Sequence, residues 1–175
     1  NAHNVLGLIY ERMGDANKAE AEYQEAVRLS PDNYFAHNAY GAFLCKRRRF
    51  PESDRELQAA IDNPLNDSPW IAMTNAATCA QDRGDRATAE RQLRAALQRN
   101  PRFAPALLRM AHLSVDGGEL QNARQYLERF GMVSPPTPES LYLAARVERG
   151  LGNRNKAATY ELKLRERFPD APEVQ

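Results

Sequence analysis

A ladder of glycines and prolines limits what this chain can fold into. Gly14, Gly84, Gly118 and Gly152 stand at intervals of 70, 34 and 34, and each is followed seventeen residues later by a proline, Pro31, Pro101, Pro135 and Pro169. Because 70 is twice 34 plus two, a degenerate copy lengthened by two residues lies between Pro31 and Pro101. Five copies therefore fill the 175 residues. A fixed period in this range marks a stacked array of one supersecondary unit, each copy burying its apolar face on the next.

Glycine can close a helix in the left-handed conformation and proline cannot continue one. Each copy thus reads as helix, tight turn, helix, stop. In every copy a small residue holds one place on the second helix, namely Ala19, Ser53, Ala89, Ala123 and Ala157. A small side chain there lets the two helices of a hairpin approach closely.

Leu6, Gly7, Tyr10, Ala19, Tyr23, Ala26 and Pro31 together resemble the signature of the tetratricopeptide repeat family. The resemblance covers the whole chain. It implies an all-α, right-handed superhelical solenoid in a single domain over 1–175, with repeats at about 1–33, 34–66, 67–103, 104–136 and 137–170. Later copies drift: Ala77 and Ala111 stand where Gly7 and Gly41 do, and Glu148 stands where Tyr10 does.

In the first copy, helices are expected over 1–13 and 17–29, with Leu6, Ile9, Tyr10 and Met13 as the buried stripe of the former. The second copy is irregular, because Arg48 replaces the turn glycine and Leu65 the terminal proline. Pro51 suits the first turn of a helix. The segment 63–69 reads as an extended connection, since residues before proline avoid the helical region, and Ser68 as the cap of the helix that follows. Thr137, Pro138 and Glu139 form a start signal for the fifth copy, and the tail 170–175, with little to bury, is expected to fray.

With 42% hydrophobic residues and a formal net charge of +1, the chain has material for a core and no electrostatic footprint for nucleic acid. No apolar run approaches the ~20 residues of a membrane span. Residue 1 falls inside a helix and is not Met, so further sequence is expected upstream of it.

Among chemical motifs there is no G-x-S-x-G, no phosphate-binding glycine loop, no H-E-x-x-H and no C-x-x-C. Neither catalytic residues, nor a cofactor, nor a metal site is expected, and the chain reads as a non-enzyme. His3 and His37 share one repeat position, which favours a structural role. The basic run Lys46 to Arg49 reads as a solvated turn, with an acidic partner as the second reading. Cys45 and Cys79 fall on the first helices of neighbouring copies, at positions two residues apart. That offset turns one side chain by about 200° relative to the other, so a disulfide and two small buried thiols both fit.

The family resemblance places repeat positions 2, 5, 9, 12 and 13 on an inner, concave face. The surface it implies includes Asn4, Leu8, Phe35, Asn38, Ile71, Thr74, Leu108, His112, Tyr142 and Arg146. Chaperone-binding relatives clamp a terminal carboxylate with basic residues and asparagines. Asn4 and Asn38 suit that scheme, whereas Thr74 and Thr78 stand where it needs basic side chains, which weakens a cytosolic scaffold or chaperone-adaptor reading.

A narrower resemblance runs over 38–175. The run Asn38 to Cys45, then Asn63-Pro64-Leu65, Asn75 to Cys79, Ala123 to Leu127, and Phe168-Pro169 are similar to the pilotin lipoproteins of type IV pilus biogenesis, the PilF/PilW family. These matches include the irregular copy and its insertion. The resemblance implies a monomeric, lipid-anchored protein at the periplasmic face of the bacterial outer membrane, whose protein partner is the pilus secretin. It also implies a sixth repeat and the lipidated cysteine ahead of residue 1, a membrane association through that anchor alone, and a Cys45–Cys79 disulfide formed in an oxidising compartment.

Overall fold

The computed structural model describes residues 2–174; Asn1, which the sequence places in the first helix, lies outside them. Ten α-helices and no strand occur among the described residues. They group into two compact units, one ending at Arg99 and the other beginning at Asn100.

The first unit contains α1 (Ala2–Arg12), α2 (Ala16–Leu29), α3 (Tyr34–Lys46), α4 (Phe50–Asp62), α5 (Pro69–Asp82) and α6 (Arg86–Arg99). They pair as hairpins α1–α2, α3–α4 and α5–α6. The turns obey one backbone rule. Gly14 and Gly84 take φ of 78° and 83°, and Arg48 takes 60° at the equivalent place without being glycine. After each, the next amide reaches back to close the helix: Asp15 N to Tyr10 O at 2.9 Å, Arg49 N to Leu44 O at 3.0 Å, Asp85 N to Ala80 O at 2.8 Å. This is the bonding that a left-handed helix terminus uses to satisfy orphan carbonyls.

Ala19, Ser53 and Ala89 are fully buried at the hairpin crossings. Opposite them, a Cβ on Gly7 would meet the Tyr23 ring at 2.7 Å, and one on Gly41 would meet Leu57 Cγ at 2.7 Å. Tyr23, Leu44, Leu57 and Leu93 are buried almost completely, each contributing about 1.5–3 kcal/mol.

One expectation fails in this unit and two hold in part. Leu6, Ile9 and Met13 are 38%, 45% and 72% exposed, because among the described residues α1 packs chiefly on α2. The 63–69 connection is extended at Asn63, before Pro64, with φ −66° and ψ 120°, and then turns: Asn66 N bonds Asn63 O at 3.0 Å, and the Asn66 side-chain amide donates to Ala60 O at 2.7 Å. The proline preference holds at the residue before Pro64, and two asparagines supply the turn that follows. Ser68 is the N-cap residue of α5, as expected, but its side chain makes no capping bond, since its hydroxyl donates to Asp67 instead.

The second unit contains α7 (Ala104–Asp116), α8 (Leu120–Gly131), α9 (Pro138–Gly150) and α10 (Arg154–Arg167). Gly118 and Gly152 make its left-handed turns. Thr137 and Ser140 form a reciprocal capping box at the start of α9. The tail does not fray through the described residues: Pro172–Val174 forms a single 3₁₀ turn against α9.

Candidate protein-binding groove

In the first unit, α3 and α5 are neighbouring first helices of their hairpins, and a shallow cleft lies between their N-terminal halves. Phe35 and Asn38 of α3 and Ile71 of α5 line it, as the inner-face pattern expects, together with Tyr34 and Asn66. Phe35 is 58% exposed, its ring 4.2 Å from that of Tyr34. Asn38 supplies an amide to this lining, and its Oδ1 accepts from Asn75 Nδ2 at 2.9 Å. Apolar rims with an amide between them suit a peptide, whose side chains need burial and whose backbone needs hydrogen bonds.

On α1, Leu8 is exposed and Asn4 half-buried, and Asn4 Oδ1 has no hydrogen-bond partner among the described residues. Thr74 departs from the expected set. It is buried, and its hydroxyl donates to Trp70 O at 2.7 Å within its own helix, a back-bond that withdraws it from the surface.

In the second unit, Leu108 lies in a cleft with Pro105, Pro138 and Glu139, and Tyr142 and Arg146 border another with Arg165 and Val174. The Arg146 guanidinium sits 5.9 Å from the centre of the Tyr142 ring, a cation–π contact. His112 Nε2 is 2.7 Å from Glu139 Oε1, so it is engaged within the unit. The 3₁₀ turn contributes Glu173 to both clefts.

A disulfide joins Cys45 to Cys79, with Cα atoms 5.6 Å apart. It ties α3 to α5, the two helices that flank the first cleft. Ser53 Oγ, buried beside it, donates to Gly41 O at 2.8 Å. Among the described residues, no group of three or more His, Cys, Asp or Glu is placed to hold a metal ion, and no helix is long and apolar enough to cross a membrane.

The tetratricopeptide repeat pattern matches residues 1–33 and again residues 80–147. The chain is similar in structure to PilW, a widely conserved type IV pilus biogenesis factor, with 31% identity and a TM-score of 0.88 over 99% of this chain and 80% of that one. It belongs to the tetratricopeptide repeat family and is homologous to PilF and PilW. The type IV pilus assembly protein PilF of Pseudomonas aeruginosa is 26% identical over all 175 residues, which cover 69% of that protein. A solved PilF structure superposes with a TM-score of 0.84 over 99% of this chain and 78% of that one. Tetratricopeptide repeats are protein-interaction scaffolds, and the clefts of this PilF/PilW homologue are read in that light.

The repeat protein uses its equivalent histidines alike. His3 Nδ1 lies 2.6 Å from Glu22 and His37 Nδ1 2.7 Å from Glu56, each pair bracing the two helices of its hairpin. The basic run is partly neutralised, Lys46 by Glu11 and Arg49 by Glu20 and Glu52. Pattern reasoning missed Tyr34 and Asn66 in the first cleft.

Proposed function

We propose that this chain is a non-enzymatic interaction module of type IV pilus biogenesis, a pilotin that assists the outer-membrane localisation and assembly of the pilus secretin. It acts at the periplasmic face of the bacterial outer membrane, held there by a lipid anchor. The observation that carries the reading is the homology to PilW and PilF across nearly the whole chain. The apolar clefts with few lysines add support, since a preformed surface of this kind holds an extended or helical segment with little left to order on binding. The disulfide agrees with an oxidising compartment and weighs against a cytosolic scaffold or chaperone adaptor.

The test is capture of the secretin by the purified protein and by its Phe35→Ala and Tyr142→Ala variants, with helicity recorded for each. Weakened capture at intact helicity supports the reading. Equal capture by both variants removes these clefts as the binding surface, and absence of capture by the unmodified protein removes the secretin.

A further inference from the structure

The basic turn is where this fold departs from its own rule. At four hairpin turns a glycine takes the left-handed backbone, and at the fifth Arg48 takes it at φ 60°, a region that costs a residue with a Cβ roughly 1 kcal/mol. The backbone hydrogen bonds match those of the glycine turns, so arginine adds none to the turn, and its local return is the contact with the Phe50 ring. A side chain retained against local preference points to a use elsewhere.

The neighbours narrow that use. Lys46 Nζ is held 2.6 Å from Glu11, and Arg49 bridges Glu20 and Glu52. Arg47 and Arg48 are exposed, and neither pairs with a carboxylate among the described residues. Arg48 instead lies 5.5 Å over the Phe50 ring. Arg47 borders a small cleft with Gly14, Ala16 and Phe43, whose lining also includes Glu11 and Lys46, paired with each other, so apolar surface adjoins the charge of Arg47. This edge stands at the opposite end of α3 from Phe35, roughly 18 Å away by helix rise, and is separate from the cleft between α3 and α5.

We infer that the Arg47–Arg48 edge docks an acidic segment of a protein partner, its carboxylates on the two guanidiniums and a neighbouring apolar side chain in the cleft beside Ala16. Guanidinium forks match carboxylates in bidentate geometry. An extended anionic surface fits less well, because Glu11, Glu20 and Glu52 sit among the four cations and leave a membrane or nucleic acid little net charge to meet.

The experiment titrates a fluorescent peptide, carrying two adjacent glutamates followed by a leucine, with the unmodified protein, with Arg48→Gly and with Arg47→Gln/Arg48→Gly, reading anisotropy at low ionic strength. A glutamine version of the peptide and phosphatidylserine vesicles are run alongside. Binding of the glutamate peptide, weakened about tenfold or more in Arg48→Gly, supports the site. The unfolding temperature of each variant is measured on the same samples, and lost binding counts for the site where that temperature is unchanged or raised. No binding of the glutamate peptide, equal binding by the double variant, equal binding of the glutamine peptide, or binding of vesicles alone each overturns it.

Discussion

His37 stands between two acceptors: its Nδ1 is 2.7 Å from Glu56 Oε2 and its Nε2 is 2.8 Å from the carbonyl oxygen of Pro31. Only the doubly protonated ring donates to both. The Glu56 carboxylate, opposed by burial and helped by the Pro31 carbonyl, holds the His37 pKa above its ordinary value.

A group whose pKa is raised on folding stabilises fully below its unfolded value, near 6.5, and loses that contribution as pH rises through the folded value. The stability advantage of the unmodified protein over His37→Gln is therefore expected to be largest at pH 6 and to shrink towards pH 9. Urea midpoints at the two values check this. An advantage that stays constant or grows with pH contradicts it.

Arg48→Gly should stabilise the first unit by about 1 kcal/mol or less, because glycine takes the left-handed region without the steric cost of a Cβ. The flexibility that glycine adds to the unfolded chain offsets part of the gain. Calorimetry is expected to show a rise in Tm of roughly 2–4 °C. A fall would mean that the Phe50 contact outweighs the strain.

Glu148 is buried, its two oxygens taking Arg124 Nε and Nη2 at 2.9 Å each and Asn153 Nδ2 at 2.8 Å. Removing one partner strands the other, so Glu148→Ala is expected to cost about 3 kcal/mol, the low end for a buried pair because Arg124 is partly exposed. Arg124→Leu/Glu148→Met should recover much of that loss. Urea unfolding followed by circular dichroism measures both.

The disulfide closes a loop with a sequence separation of 34. Constraining the unfolded chain over such a loop contributes about 3–4 kcal/mol. Cys45→Ser/Cys79→Ser is expected to lose that much under oxidising conditions and to match the reduced unmodified protein. Alkylation of the protein from its native host before and after reduction, read by intact mass, reports whether the bond forms in the cell.

Much of this fold is written along the chain. The glycine and proline ladder, the small residue at each crossing and the Thr137 start signal are local backbone chemistry, and they locate the hairpins, the tight turns and even the left-handed residue at Arg48. Family likeness then pointed to Phe35, Asn38 and Ile71, which share one cleft. Other features depend on what lies across space from a residue. Leu6 and Ile9 carry a buried-stripe pattern but are exposed among the described residues, where α1 packs chiefly on α2, while Thr74, on an inward position, turns back into its own helix. Asn63 obeys the proline signal, but the turn that Asn66 closes after it rests on bonds that no single position announces. Glu148, an apparent misfit in a tyrosine position, is satisfied by Arg124 from another helix. The two cysteines were compatible with a bond or with separate thiols until the 5.6 Å between their Cα atoms joined them. Backbone preferences act within a few residues and are legible in order, whereas burial and pairing are set by neighbours distant in sequence, which only the tertiary structure brings together.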